Sequence, residues 1–207
     1  MTENRFDTAA ADWDKESRRV ELSNAISSRI ALLRLNDGMR AMEYGCGTGL
    51  VGLNLAQHLA SLVAVDSSPG MLEIIKTKIV EQGIKNVFPQ HLDLHHDDCE
   101  HDFDLIFSAM TLHHLTDVDG ILAKFFQCLK PGGILALADL DEEDGSFHQD
   151  NPEGVMHNGF NRKKLAGDLE KIGFTSIQES TVHTILKKNN QGGERPYPVF
   201  LMIAMKE

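Results

Sequence analysis

Met42-Glu43-Tyr44-Gly45-Cys46-Gly47-Thr48-Gly49 decides the fold of this 207-residue chain. An apolar run ends in an acidic residue, three glycines follow at every second position, and an apolar helical pattern begins at once. Glycine gives the backbone positive φ and lets a ligand approach where a Cβ would stand. The next acidic landmark closes Leu62-Val63-Ala64-Val65-Asp66, 21 positions after Gly45. A carboxylate at a strand tip at that distance can accept both hydroxyls of a ribose, as in dinucleotide-binding sheets.

On either side of this turn the pattern alternates. It predicts strands over 39–44, 62–66, 87–91, 103–108 and 132–139, and helices over 49–60, 69–82 and 118–130. The helix over 49–60 rests on the spacing of Leu50, Leu53, Leu55, Ala56 and Leu59. Pro69 suits a first helical turn, and Gly83 and Gly132 suit positions just past helix ends. Residues 1–37 read as a helical cap, with Val20, Leu22, Ile26, Ile30 and Leu33 on one apolar face. Downstream, 161–172 is a helix closed by Gly173, 174–186 and 196–205 are strands, and 187–195 is a polar hairpin link. The expected fold is α/β, one domain over 1–207. It is a doubly wound, mostly parallel seven-stranded sheet with an antiparallel last strand and helices on both faces. Residues 141–160 form a lid-like insertion.

Composition narrows the function. The net charge is −11, with no basic cluster longer than Arg162-Lys163-Lys164. That argues against nucleic acid, whose binders carry a basic face. No apolar run approaches the length of a membrane span, and the charged N-terminus is not a secretory signal. Cys46, Cys99 and Cys128 are odd in number and imply no disulfide framework, so a cytoplasmic location is expected.

The ligand is ambiguous at first. Gly47-Thr48-Gly49-Leu50-Val51-Gly52 matches the G-x-G-x-x-G dinucleotide pattern. Yet Glu43 stands just before the turn, where it would repel a pyrophosphate and suit a cation. The order acid-x-Gly-x-Gly-x-Gly resembles motif I of the Rossmann-like S-adenosylmethionine-dependent methyltransferases. Phe103-Asp104-Leu105-Ile106-Phe107-Ser108 resembles that family's fourth strand, Thr111 to Leu115 the segment after it, and Leu129-Lys130-Pro131-Gly132-Gly133 the turn into its fifth. Phe6-Asp7-x-x-Ala10-x-x-Trp13-Asp14 is similar to the opening of the small-molecule branch, quinone-biosynthesis enzymes included.

The resemblance implies S-adenosylmethionine as cofactor and assigns a cradle. Gly45, Cys46, Gly47 and Gly49 pass under the methionine part, and Glu43 serves its amino group. Asp66 holds the ribose hydroxyls, and Ser67 and Met71 flank ribose and adenine. Asp93, with Leu94 beside it, meets the adenine amino group, though His91 to His96 admits a shifted register. Ser108 and Ala109 lie where ligands sit in open α/β sheets.

Methyl transfer from a sulfonium depends mainly on positioning. His113 is the candidate general base, since histidine titrates near neutral pH. Trp13, Asp139, His148 and His157 are candidate substrate contacts. The run from His91 to Asp102 has enough ligand types for zinc, but its spacing matches no standard site, and a solvated acidic loop is expected, with no metal. The expected reaction is methyl transfer to a small-molecule acceptor by a monomer or homodimer. The rivals are a nicotinamide oxidoreductase and a non-catalytic cofactor-binding partner subunit.

Overall fold

The structure, a computed structural model, describes residues 5–188 and 193–207. Seven strands form one sheet in the order β3-β2-β1-β4-β5-β7-β6. They are β1 (Arg40–Tyr44), β2 (Ser61–Asp66), β3 (Val87–His91), β4 (Phe103–Ala109), β5 (Leu129–Leu140), β6 (Phe174–Lys188) and β7 (Glu194–Lys206). The first five pair in parallel, and β7 runs antiparallel to β5 and β6. The expected architecture is therefore present, its antiparallel last strand included.

The sheet separates two cores. Successive residues point to opposite faces, so Ala41, Leu62, Ala64, Leu105 and Phe107 join one core and Met42, Val63, Val65 and Ile106 the other. Both faces are covered, and the central strands therefore read as unbroken apolar runs. On the first face lie α2 (Ser17–Ile30), α3 (Gly52–Leu55) and α4 (Pro69–Glu81), through Leu22, Ile26, Leu55 and Ile75. On the second lie α5 (Val118–Cys128) and α6 (Arg162–Ile172), through Phe125, Leu165 and Leu169. Phe107 and Phe125 are fully buried, each contributing about 1.5–3 kcal/mol from removal of its ring from water.

Local sequence sets the helix ends. The Ser68 hydroxyl accepts from the Met71 amide at 3.2 Å, with Pro69 in the first turn of α4. Asp117 caps α5 through the Gly120 amide at 2.9 Å, and Asn161 caps α6 through Lys164 at 3.2 Å.

Three expectations need correction. The helix expected over 49–60 is only α3, followed by a 3-10 turn over Ala56–His58. Gly47 and Gly49 hold left-handed φ of 51° and 84°, which keeps the chain out of a helix until Gly52. Within the described residues the cap consists of α1 (Arg5–Ala9), a 3-10 segment over Ala10–Lys15, and α2. Gly132 is no helix C-cap. It lies inside β5, four residues past Cys128, where the register with β4 slips. Cys99 and Cys128 are joined as a disulfide with Cα atoms 6.7 Å apart, a long-range pairing that three cysteines did not announce. The polar hairpin link falls partly outside the described residues. Among the described residues, no helix is long and apolar enough to cross a membrane.

Candidate cofactor cleft and active site

Strand order reverses between β1 and β4, the switch point where open α/β sheets bind ligands at the carboxyl ends of their strands. A cleft of about 640 Å³ opens there. The glycine turn forms one wall. Gly45 and Cys46 amides donate to the Val65 carbonyl at 2.8 and 2.9 Å, which fixes the turn to β2.

The three glycines have different duties. A Cβ on Gly45 would lie 2.2 Å from the Thr111 hydroxyl, and one on Gly49 would lie 2.7 Å from Ile75. Both are therefore packing glycines. A Cβ on Gly47 would meet nothing closer than Met71 Sδ at 4.0 Å. Gly47 alone turns a bare backbone to open space in the cleft.

Two carboxyls face this wall. Asp66 accepts from the Gly47 amide at 2.7 Å through Oδ2 and from the Ser68 amide at 2.8 Å through Oδ1. Each oxygen keeps a lone pair for a ribose hydroxyl. Burial raises the Asp66 pKa, and the amides of Ser68 and Gly47 hold it down. Glu43 is 2% exposed, and its Oε2 has no partner. Burial pushes its pKa well above the carboxylate range, the Gly52 amide pulls it partly back, and Asp66 adds to the push. An orphaned buried carboxyl is costly unless something fills it. The ammonium of an amino-acid moiety is a fitting partner, so these residues suit S-adenosylmethionine.

The cap is tied to this wall by residues not assigned a role from the sequence. Asp7 accepts from the Ser68 hydroxyl at 2.6 Å and the Gly70 amide at 2.8 Å. Asp14 accepts from the Thr48 hydroxyl at 2.6 Å and pairs with Lys78, which donates to the Thr48 carbonyl at 2.8 Å. Both acids belong to the Phe6–Asp14 motif, which was the available signal. Trp13 lines the cleft with Arg19 stacked 3.7 Å over its ring.

The opposite wall carries histidines. His113 is buried, and its Nδ1 lies 2.6 Å from Asp139 Oδ1. Asp139 also accepts from the Leu140 amide at 2.7 Å and the His113 amide at 3.3 Å. With Nδ1 protonated toward this carboxylate, Nε2 is the ring nitrogen left as an acceptor. The His114 and His148 rings stand 4.1 and 5.0 Å from that of His113. Burial first, then the neighbouring His113, depresses the pKa of His114 to about 3 and of His148 to about 4.

Of the residues assigned from sequence, Glu43, Gly45, Cys46, Gly47, Asp66, Ser67, Met71, Asp93, Ala109, Trp13, His113 and His148 line the cleft. Five do not. Gly49 packs on Ile75, and Leu94 is wholly buried. The Ser108 hydroxyl donates to the Tyr44 carbonyl at 2.9 Å, stitching β4 to β1 beneath the cleft. Asp139 stands behind His113. His157 sits under the wall, its Nε2 2.9 Å from the Leu115 carbonyl. Among the described residues no three His, Cys, Asp or Glu side chains converge as metal ligands.

Comparison with known proteins agrees with this geometry. The methyltransferase domain family matches residues 16–179. An uncharacterized methyltransferase of Schizosaccharomyces pombe is 29% identical over 59% of this chain and 48% of its own length. A malonyl-[acyl-carrier protein] O-methyltransferase of Bacillus anthracis is 27% identical over 82% of this chain and 61% of its own. The chain thus spans about half to three fifths of these two curated relatives. Among solved structures, a SAM-dependent methyltransferase of Aquifex aeolicus superposes with a TM-score of 0.71 at 21% identity, covering 97% of this chain and 98% of that one. The family match covers most of the chain, the sheet ends in the antiparallel strand expected of that family, and the chain belongs to the methyltransferase domain family.

Proposed function

We propose that this chain is an enzyme that moves a methyl group from S-adenosylmethionine to an oxygen or nitrogen of a small molecule, with His113 as general base. The observation that carries this reading is the His113–Asp139 pair at 2.6 Å, set in the same cleft as Glu43, Gly47 and Asp66. When bound, the cofactor supplies a methyl group activated on a sulfonium. Glu43 would hold its amino group, Gly47 its backbone approach, Asp66 its ribose, and Ser67, Met71 and Asp93 its adenosine end. His113 Nε2 takes the proton of the acceptor as that acceptor attacks, and Asp139 stabilises the imidazolium that results. Asp139 is a positioning residue and touches neither reactant. The family match disfavours the nicotinamide rival, and the intact Asp66 cradle beside a base disfavours a purely non-catalytic role.

The enzyme is read as a monomer or homodimer acting on free small molecules, and the Cys99–Cys128 disulfide removes the cysteine argument for a cytoplasmic location. The net charge of −11 supports a partner other than nucleic acid. Calorimetric titration with S-adenosylhomocysteine and with NADH tests the cofactor. Binding of NADH alone would end this reading. Turnover on a panel of phenols, amines and hydroxy acids tests the acceptor. His113→Gln should lower kcat on the order of 10²–10⁴-fold with cofactor affinity unchanged. Asp139→Asn should give a smaller loss together with a displaced pH optimum, which a merely structural residue would not produce.

A further inference from the structure

The cleft is polarised. Its cofactor half carries Glu43, Asp66 and Asp93, which fit a cationic ligand. On the His113 side stand Lys187 and His148. Lys187 comes from the end of β6, a strand of 15 residues that reaches the same sheet edge as the cleft. Its ammonium donates to the Phe147 carbonyl and lies 4.8 Å from the Phe147 ring. It forms no salt bridge within 4.0 Å among the described residues. Burial depresses its pKa, the charge of Asp150 opposes that, Arg18 adds to it, and Glu143 opposes it more weakly.

His148 stands next to Phe147, with ring centroids 4.7 Å apart, and 5.0 Å from His113. Its Nε2 is buried and without a partner. Lys187 and His148 line the same cleft, and a cation together with a ring nitrogen that donates in its Nε2-protonated tautomer suits an anion. A half-buried charge whose hydrogen bond goes to a carbonyl carries a desolvation cost that Asp150 and Glu143 offset only in part, and an orphaned buried ring nitrogen carries its own. One ligand group would satisfy both.

We propose that Lys187 and His148 form a specificity subsite for an anionic group, a carboxylate or a phosphate, carried by the methyl acceptor away from the atom that His113 deprotonates. The inference rests on the methyl-transfer reading of the same cleft. Arg19 is excluded from it, because its place on Trp13, next to the Asp14–Thr48 tie, belongs to the cofactor half.

The test uses the protein saturated with S-adenosylhomocysteine and four probes: salicylate and phenyl phosphate against their neutral counterparts salicylamide and phenol. Calorimetry should show the anions binding at least tenfold tighter than the neutral probes. Lys187→Met should abolish that preference, Lys187→Arg should keep it, and His148→Leu should reduce it severalfold. S-adenosylhomocysteine affinity should stay within twofold of the parent in all three. Should Lys187→Met lose its native circular dichroism, Lys187→Gln takes its place. Equal binding of charged and neutral probes, no binding of either anion, or a preference that survives in a folded Lys187 variant overturns the proposal. A parent protein that fails to bind S-adenosylhomocysteine defeats the methyl-transfer reading instead. The probes are then compared on the free protein, where the same outcomes decide the subsite.

Discussion

At the level of single residues, the glycine turn separates packing from ligand contact. Gly45 and Gly47 both hold left-handed φ, at 72° and 51°. A Cβ at either incurs backbone strain of about 1 kcal/mol. Gly45→Ala adds a collision with Thr111 at 2.2 Å. It should therefore unfold at a distinctly lower denaturant midpoint, losing about 2–4 kcal/mol. Gly47→Ala meets open space and should lose only about 1 kcal/mol, yet bind S-adenosylhomocysteine at least tenfold more weakly. Urea titration and calorimetry on the two variants decide the matter, and equal effects on affinity would remove the distinction. Asp66→Ala should weaken the same binding by about 1–3 kcal/mol, from lost hydrogen bonds to a charged acceptor. An unchanged affinity would take Asp66 out of the ribose role.

Among the elements, the contact between the cap and segment 141–160 is where a titratable group joins two parts of the chain. Arg5 donates to the Asn151 carbonyl at 3.2 Å and to the Glu153 carbonyl. Phe6 packs edge-on against His114 at 5.1 Å, and His114 Nδ1 lies 2.7 Å from the Gly154 carbonyl. Burial, His113 and Arg5 hold the His114 pKa down to about 3, against the Gly154 carbonyl and Asp139. Closure therefore excludes a proton that the open segment would bind below its ordinary pKa of about 6.5. Its stability is fully present above pH 6.5 and declines as pH falls toward 3, by up to about 1.4 kcal/mol per pH unit. Proteolysis within 145–156 should accelerate from pH 7.5 to 5.5 in the parent and stay flat in His114→Asn. Equal pH dependence in the two proteins would remove His114 from the latch. The sequence announced these elements unevenly. Central strands were legible because two apolar faces make unbroken runs, and the Phe6–Asp14 motif marked where the cap is tied. The helix over 49–60 misled because Leu50, Leu53, Leu55, Ala56 and Leu59 repeat at helical spacing, whereas backbone φ at Gly47 and Gly49 decides where a helix can begin. Asp139 was legible as a strand-tip acid, but its partner lies 26 residues away, and no local pattern announces such a pair.

For the molecule as a whole, the burial of Glu43 bears on one equilibrium. Burial is the main force against an anion at Glu43, the Gly52 amide opposes it, and Asp66 works in the same direction as burial. Glu43 is therefore biased toward its protonated form in the ligand-free protein. In the unfolded chain the same group ionises near 4.5. Its folded pKa is raised, so its contribution to stability is present below about pH 4.5 and is lost as pH climbs toward the folded value. Glu43→Gln should remove that decline, so its stability relative to the parent improves as pH rises above the ordinary carboxylate range, by up to about 1.4 kcal/mol per unit. Cofactor binding reverses the preference, because an ammonium beside Oε2 favours the carboxylate. Each cofactor bound then releases up to one proton, and affinity should rise with pH, at most tenfold per unit. Calorimetry of S-adenosylhomocysteine binding in phosphate and in Tris reads the release directly, since the two buffers take up protons with very different heats. The parent should give different apparent enthalpies in the two buffers. Glu43→Gln should give the same one in both, with weaker binding. Matching enthalpies for the parent would mean that Glu43 does not change its protonation on binding, and the cation at the glycine turn would need another counter-charge.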